Sequence, residues 1–231
     1  MSAVELFHGS QTIVERPILG VGNPRNDYGL GFYCTPEKEL ACEWACSEAS
    51  AGYVNAYTFD ITQLKVLELT SGEYTILHWL AILLRHRSFK LKGDIAPLAK
   101  EFLLERFYLP VEEYDVVRGY RADDSYFSFA NAFISGSISL RKLEEAMMLG
   151  GLGEQIVPRT QKAYDALYFE GAQAIDYEHY FPLRIARDEK ARKDFATMKA
   201  NRSPLLEPHI TDILKEDWGP DDARLQRIVL R

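Results

Sequence analysis

The chain has 231 residues, 47% of them apolar, and a formal net charge of −7 from 27 basic and 34 acidic side chains. That length fits one domain with decorations or one domain plus a C-terminal appendage, and the apolar share builds an ordinary globular core. The acidic balance excludes a non-specific nucleic-acid binder, which needs a basic face for phosphates. The longest apolar run, residues 76–84, contains His78 and falls short of the roughly 20 residues of a spanning helix, so no membrane partner is expected.

Residues 1–5 lack a basic stretch followed by an apolar one, so no secretory signal is expected and a cytoplasmic location is. Residues 4–7 form a short apolar strand that delivers His8-Gly9-Ser10 at its end. Residues 11–17 read as strand or loop, and Gly20-Val21-Gly22-Asn23-Pro24 is dense in turn residues. Asp27-Tyr28-Gly29 leads into a strand over 31–35. Thr35-Pro36-Glu37 predicts a helix start, with a hydroxyl cap, a proline in the first turn and an acid beside the dipole. Leu40, Ala41, Trp44 and Ala45 then recur at helical spacing. Cys42 and Cys46 stand four apart on that helix without a second pair or a histidine at ligand spacing. With Cys34 they read as buried thiols in a reducing compartment, and no metal is expected.

Residues 53–59 alternate as a strand does, and residues 64–69 form another. Helices are expected over 73–87 and 95–108, with Gly93 between them. Arg85-His86-Arg87 with Lys90 and Lys92 is the best candidate for a local basic patch; the other reading is a helix end whose cations favour the C-terminal dipole. A strand over 114–120 runs into Arg121-Ala122-Asp123-Asp124, and helices follow near 125–134 and 139–149. Gly150-Gly151-Leu152-Gly153 leads to a short strand at 154–157, stopped by Pro158. Thr160 is expected to cap a helix ending at Gly171, and residues 174–180 read as a last strand. Beyond Phe181 the chain becomes charge-rich and helical over 184–202, with a weak amphipathic period over 205–218. Strands and helices mix without regular βαβ alternation, which implies an α+β fold.

The ordered set His8-Gly9-Ser10, Asp27-Tyr28-Gly29-Leu30-Gly31-Phe32-Tyr33-Cys34-Thr35, Ala41-Cys42-Glu43-Trp44-Ala45, the strand 114–119, Ala122-Asp123-Asp124 and Gln155-Ile156-Val157 resembles a bacterial family of uncharacterised ADP-ribosyltransferase-like proteins associated with toxin–antitoxin pairs. The resemblance covers residues 4–174. It implies split mixed and antiparallel sheets with inserted helices, an ADP-ribosyltransferase-like domain over 1–180 and a helical C-terminal extension over 181–231. It also implies NAD as co-substrate, a macromolecular acceptor and an antitoxin-like protein partner. The activity it implies is NAD-dependent ADP-ribosyl transfer by a toxin or effector; the alternatives are a catalytically weakened nucleotide-binding module and an NAD glycohydrolase. Two departures from the family pattern stand out: Tyr28 replaces the usual Phe, and Arg25 lies closer to Asp27 than the pattern has it.

By that resemblance His8 hydrogen-bonds the adenosine ribose, Gly9 pairs through its backbone with the nicotinamide amide, and Tyr33 stacks on the ring. Each has a plainer reading: a hydrogen-bonded histidine at a strand end, and an aromatic packed in the core. Ser10 and Thr35 place hydroxyls near the same pocket, where either can instead cap a turn or helix. Asp27 either bonds its own turn or meets the ligand. Asp124 reads as an N-cap or as a catalytic carboxylate at a strand end. Gln155 holds the place where well-studied transferases carry a glutamate; its amide can orient a ribose hydroxyl but supplies no negative charge.

Overall fold

The structure, a computed structural model, describes residues 3–47, 50–122, 124–147, 149–151, 153–201, 207–225 and 227–229. In chain order the elements are β1 (Ala3–Ser10), α1 (Lys38–Ala45), β2 (Tyr53–Asp60), β3 (Val66–Glu68), β4 (Ser71–Thr75), α2 (Ile76–His86), α3 (Ile95–Phe107) and β5 (Val116–Tyr120). They continue with α4 (Asp124–Ile134), α5 (Leu140–Met147), β6 (Glu154–Pro158), α6 (Gln161–Asp165), β7 (Leu167–Ala174), α7 (Tyr177–Ala200), α8 (Ile210–Lys215) and β8 (Arg227–Val229). The architecture is mixed α+β with small antiparallel and mixed sheets. None of the helices among the described residues is long and apolar enough to cross a membrane.

The chain divides into two compact units, each assembled from three stretches. Unit one comprises Met1–Glu68, Pro110–Arg121 and Gly153–Arg187. It holds an antiparallel sheet in the order β1-β2-β7 and a mixed sheet in the order β3-β5-β6, where β3 runs parallel to β5 and β6 antiparallel to it. Strand alternation gives the first sheet two different faces. Leu6, Tyr57 and Phe59 point into a layer shared with Val116 and Ile156 of the mixed sheet, and Phe32 and Cys34 fill it. Phe7 and Val54 point the other way, onto Ala41, Cys42 and Ala45 of α1. All three cysteines are free and buried.

Unit two comprises Leu69–Leu109, Ala122–Leu152 and Asp188–Arg231. At its centre α2 is buried nearly all round: Leu77, Trp79, Leu80, Ile82 and Leu84 are each at 0–1% exposure. Such a helix has no polar face to show and packs within the core. Phe195 in α7 lies against Phe129 of α4, ring centroids 4.1 Å apart. Strand β8 pairs with β4.

Local pattern and tertiary pairing disagree in four places. The helix expected from residue 73 starts at Ile76, because residues 71–75 pair with β8, far outside any local window. Thr75 then closes the helix start, its hydroxyl and the His78 ring forming a capping box. The helix expected to run to Gly171 ends at Asp165; Leu167 and Phe169 alternate with exposed Tyr168 and Glu170, and β7 completes the antiparallel sheet against β2. Residues 174–180 are no last strand, since Asp176 turns the chain by accepting from the Glu178 N–H and α7 starts at Tyr177. Glu37, not Thr35, occupies the cap position of α1. The Thr35 hydroxyl instead accepts from the Glu37 N–H at 3.2 Å, closing the turn just before the helix.

Candidate functional site

Strand β1 carries Leu6, His8 and Ser10 on the face that meets the mixed sheet. Opposite His8 on β2 sits Asn55, fully buried in mid-strand. Its amide nitrogen donates to the His8 carbonyl at 3.1 Å, to the Ser10 hydroxyl at 3.1 Å and towards the Thr12 carbonyl at 3.4 Å. Its amide oxygen accepts from the Val14 N–H at 2.8 Å. One side chain thus fixes the whole exit of β1, helped by the Tyr57 hydroxyl donating to the Val14 carbonyl.

The His8 ring lies tilted on Phe32, centroids 4.3 Å apart, with Nδ1 2.8 Å from the Tyr33 carbonyl oxygen. A carbonyl only accepts, so Nδ1 carries the proton and a neutral ring presents its lone pair at Nε2. Burial pulls the His8 pKa below its ordinary value, against the weaker opposing effect of the Tyr33 carbonyl. The site therefore holds an uncharged, oriented imidazole acceptor.

Residues 32–35 join the two sheets of unit one. Phe7 and Thr35 exchange backbone hydrogen bonds of 2.8 and 2.9 Å, and Cys34 and Ile156 exchange bonds of 3.1 and 2.9 Å. This short bridge stands where a longer strand over 31–35 is expected. A side chain at Gly9 would fall on the Ala41 carbonyl oxygen, so glycine lets β1 lie directly on α1. The Tyr33 hydroxyl donates to the Gly29 carbonyl at 2.6 Å and accepts from the Tyr28 N–H at 3.0 Å, bracing the turn in which Asp27 is buried. Ser10 donates to the Thr12 carbonyl.

On the mixed sheet, Arg118 stands opposite Ile156 and Tyr120 opposite Glu154, so Arg118, Glu154 and Ile156 share one face. Ile156 belongs to the layer that receives Leu6 and Phe32. Arg118 grips Glu154 with Nε–Oε1 at 2.6 Å and Nη2–Oε2 at 2.8 Å, and reaches Glu68 at 3.1 Å. The Glu154 side chain is 8% exposed, that of Arg118 39%. The two carboxylates raise the Arg118 pKa further, the Glu154 hydrogen bonds most. Gln155, paired with Gly119, alternates to the opposite face, buried, with its amide oxygen lacking a hydrogen-bond partner among the described residues.

The structure thus groups His8, Gly9, Ser10, Asp27, Tyr33 and Thr35 on two adjoining segments of unit one. It puts Glu154 rather than Gln155 on the face that His8 shares. Asp124 opens α4 in unit two, its side chain outside the described residues, as is Asp123. Sequence reasoning missed Asn55 and Arg118. The available signal was a polar residue at the centre of an alternating strand and an arginine inside an apolar one.

A split-sheet α+β protein with a neutral histidine and an arginine-clamped glutamate on facing layers is the class these features define. The chain belongs to the family described as "Protein of unknown function (DUF3990)", which matches residues 4–169. Comparison with curated proteins found no match, and neither did comparison with solved structures.

Proposed function

We propose that unit one binds NAD beside His8 at the exit of β1 and transfers ADP-ribose to a macromolecular acceptor, as a bacterial toxin or effector would. The observation that carries this reading is the His8 imidazole, neutral and held at Nδ1 by the Tyr33 carbonyl, which leaves the lone pair on Nε2 as an acceptor. An acceptor of that kind fits a ribose hydroxyl. By the family resemblance the Gly9 backbone pairs with the nicotinamide amide and the Tyr33 ring stacks on the pyridine. As the bond between ribose and nicotinamide breaks, the bonding pair leaves with nicotinamide and positive charge develops on the sugar. Glu154 supplies the countercharge that Gln155 lacks. Arg118 fixes the direction of that carboxylate.

A second reading, NAD binding without turnover, is favoured by the same ion pair: a carboxylate gripped at both oxygens by Arg118 is partly neutralised. Two measurements separate these readings. Calorimetry of NAD against the protein and against His8→Ala should show binding that weakens at least tenfold in the variant. Labelled NAD with cell extract should mark a macromolecule and release nicotinamide. Binding without label supports the second reading, free ADP-ribose without a labelled target identifies a hydrolase, and no NAD binding by the wild type overturns both proposals.

A further inference from the structure

In unit two the segment joining α2 to α3 concentrates cations in an otherwise acidic protein. Residues 85–93 contain Arg85, Arg87, Lys90 and Lys92, with His86 and no acid, before exposed Asp94 at the start of α3. Arg85 ends in the last turn of α2, where the dipole favours a cation. That effect fades beyond the helix end and leaves Lys90 and Lys92, both exposed in irregular chain, without such a reason. Among the described residues, Arg85, Lys90 and Lys92 make no ion pair. The segment is nevertheless held in shape. The Arg87 guanidinium lies 4.3 Å over the Phe127 ring, and Phe89 packs edge-on against the same ring at 5.3 Å.

Exposed apolar side chains accompany the charge. Leu91 sits between the two lysines at 36% exposure, and Leu98 on the first turns of α3 is 59% exposed. We infer that this surface docks a short acidic protein segment that carries apolar side chains of its own. Charge complementarity selects an anionic partner, and the two leucines select one with apolar groups to cover them. Length is limited by the rest of the molecule. Outside residues 85–93 unit two itself carries a net negative charge, and fields reach roughly 8–10 Å at physiological salt. A long polyanion or a flat anionic bilayer is repelled at the margins, whereas a segment the size of the patch is not.

The test uses the full chain and a fluorescein-labelled ten-residue peptide of alternating Glu and Leu, followed by anisotropy. The expected result is saturable binding that weakens at least tenfold when the Glu positions become Gln. It should weaken by a similar factor in the K90E/K92E variant, because each reversed surface charge is worth roughly a few-fold. Raising sodium chloride from 50 to 300 mM should weaken the wild type more than the variant. Both lysines are exposed, and an unchanged thermal midpoint confirms that K90E/K92E folds; if it does not, the single variants K90Q and K92Q carry the comparison. Equal binding of the Glu and Gln peptides overturns the inference. So does tighter binding of a ten-nucleotide single strand, or of vesicles with 30% phosphatidylserine.

Discussion

Buried polar side chains occupy different places in the two units, and the contrast separates architecture from candidate chemistry. In unit two several of them stand at helix ends. Thr75 and His78 close the start of α2, and the Ser139 hydroxyl accepts from the Lys142 N–H at the start of α5. There they answer backbone groups that a helix leaves without partners. In unit one, Asn55 and Gln155 are buried within strands and Glu154 at the first residue of β6, all three on paired strands. A buried polar group with no terminus to serve needs another use. Asn55 spends its amide fixing the exit of β1, and Glu154 is gripped by Arg118 on the face that looks towards His8.

The sharpest way to break the contrast is to remove a mid-strand group. Asn55→Leu deletes the contacts to His8, Ser10, Thr12 and Val14 together and should cost about 3 kcal/mol or more, read from the urea midpoint. Arg118→Met leaves the Glu154 carboxylate without its clamp. Because the guanidinium is partly exposed, about 2 kcal/mol is expected rather than the larger cost of a fully buried pair. Adding Glu154→Gln should return much of that loss in a double-mutant cycle, and an additive double variant would show that the two do not act as a unit. On the unit-two side, Thr75→Val should cost only about 1 kcal/mol, the usual worth of a cap. A cost as large as that of Asn55→Leu would erase the distinction.

The smallest effect is a pH dependence. Hydrogen bonds from the Thr160 hydroxyl and the Lys65 N–H hold the Asp115 carboxyl below its usual range. Its contribution is therefore present above the ordinary aspartate pKa and is lost as pH falls through the lowered one. Thr160→Val should cost about 1 kcal/mol at pH 7, through the lost cap of α6 and the lost Asp115 bond, and should make acid unfolding less dependent on pH in that window. Burial likewise depresses His8, so the unfolded chain takes up that proton first. Stability drops as pH falls from about 6.5, and His8→Gln should flatten that limb.

Much of the fold was legible because period and punctuation are local. The alternation of residues 53–59, the turn at Gly93 and the Thr160 cap all reappear as β2, the α2–α3 connection and the start of α6. What local pattern could not carry was pairing across distance. β4 takes its partner from the last stretch of the chain, and β7 is a strand because β2 offers an edge. The three-part assembly of each unit follows from the same long-range contacts. For the candidate site, the motif His8-Gly9-Ser10 falls at the end of β1. The choice between Glu154 and Gln155 depended on the register of β6 against β5, which only the paired strands define. Glycine at position 9 marked a close approach, and the neighbour proved to be α1.

The tautomer of His8 lies at the centre of the account. Long-range proton–nitrogen correlation spectra of the ¹⁵N-histidine protein, recorded near pH 7 with and without NAD, report it directly. Nδ1 should carry the proton and Nε2 should be bare in the free protein, with the Nε2 resonance moving as NAD saturates. A proton on Nε2 in the free protein, or an unmoved Nε2 resonance at millimolar NAD, would contradict it.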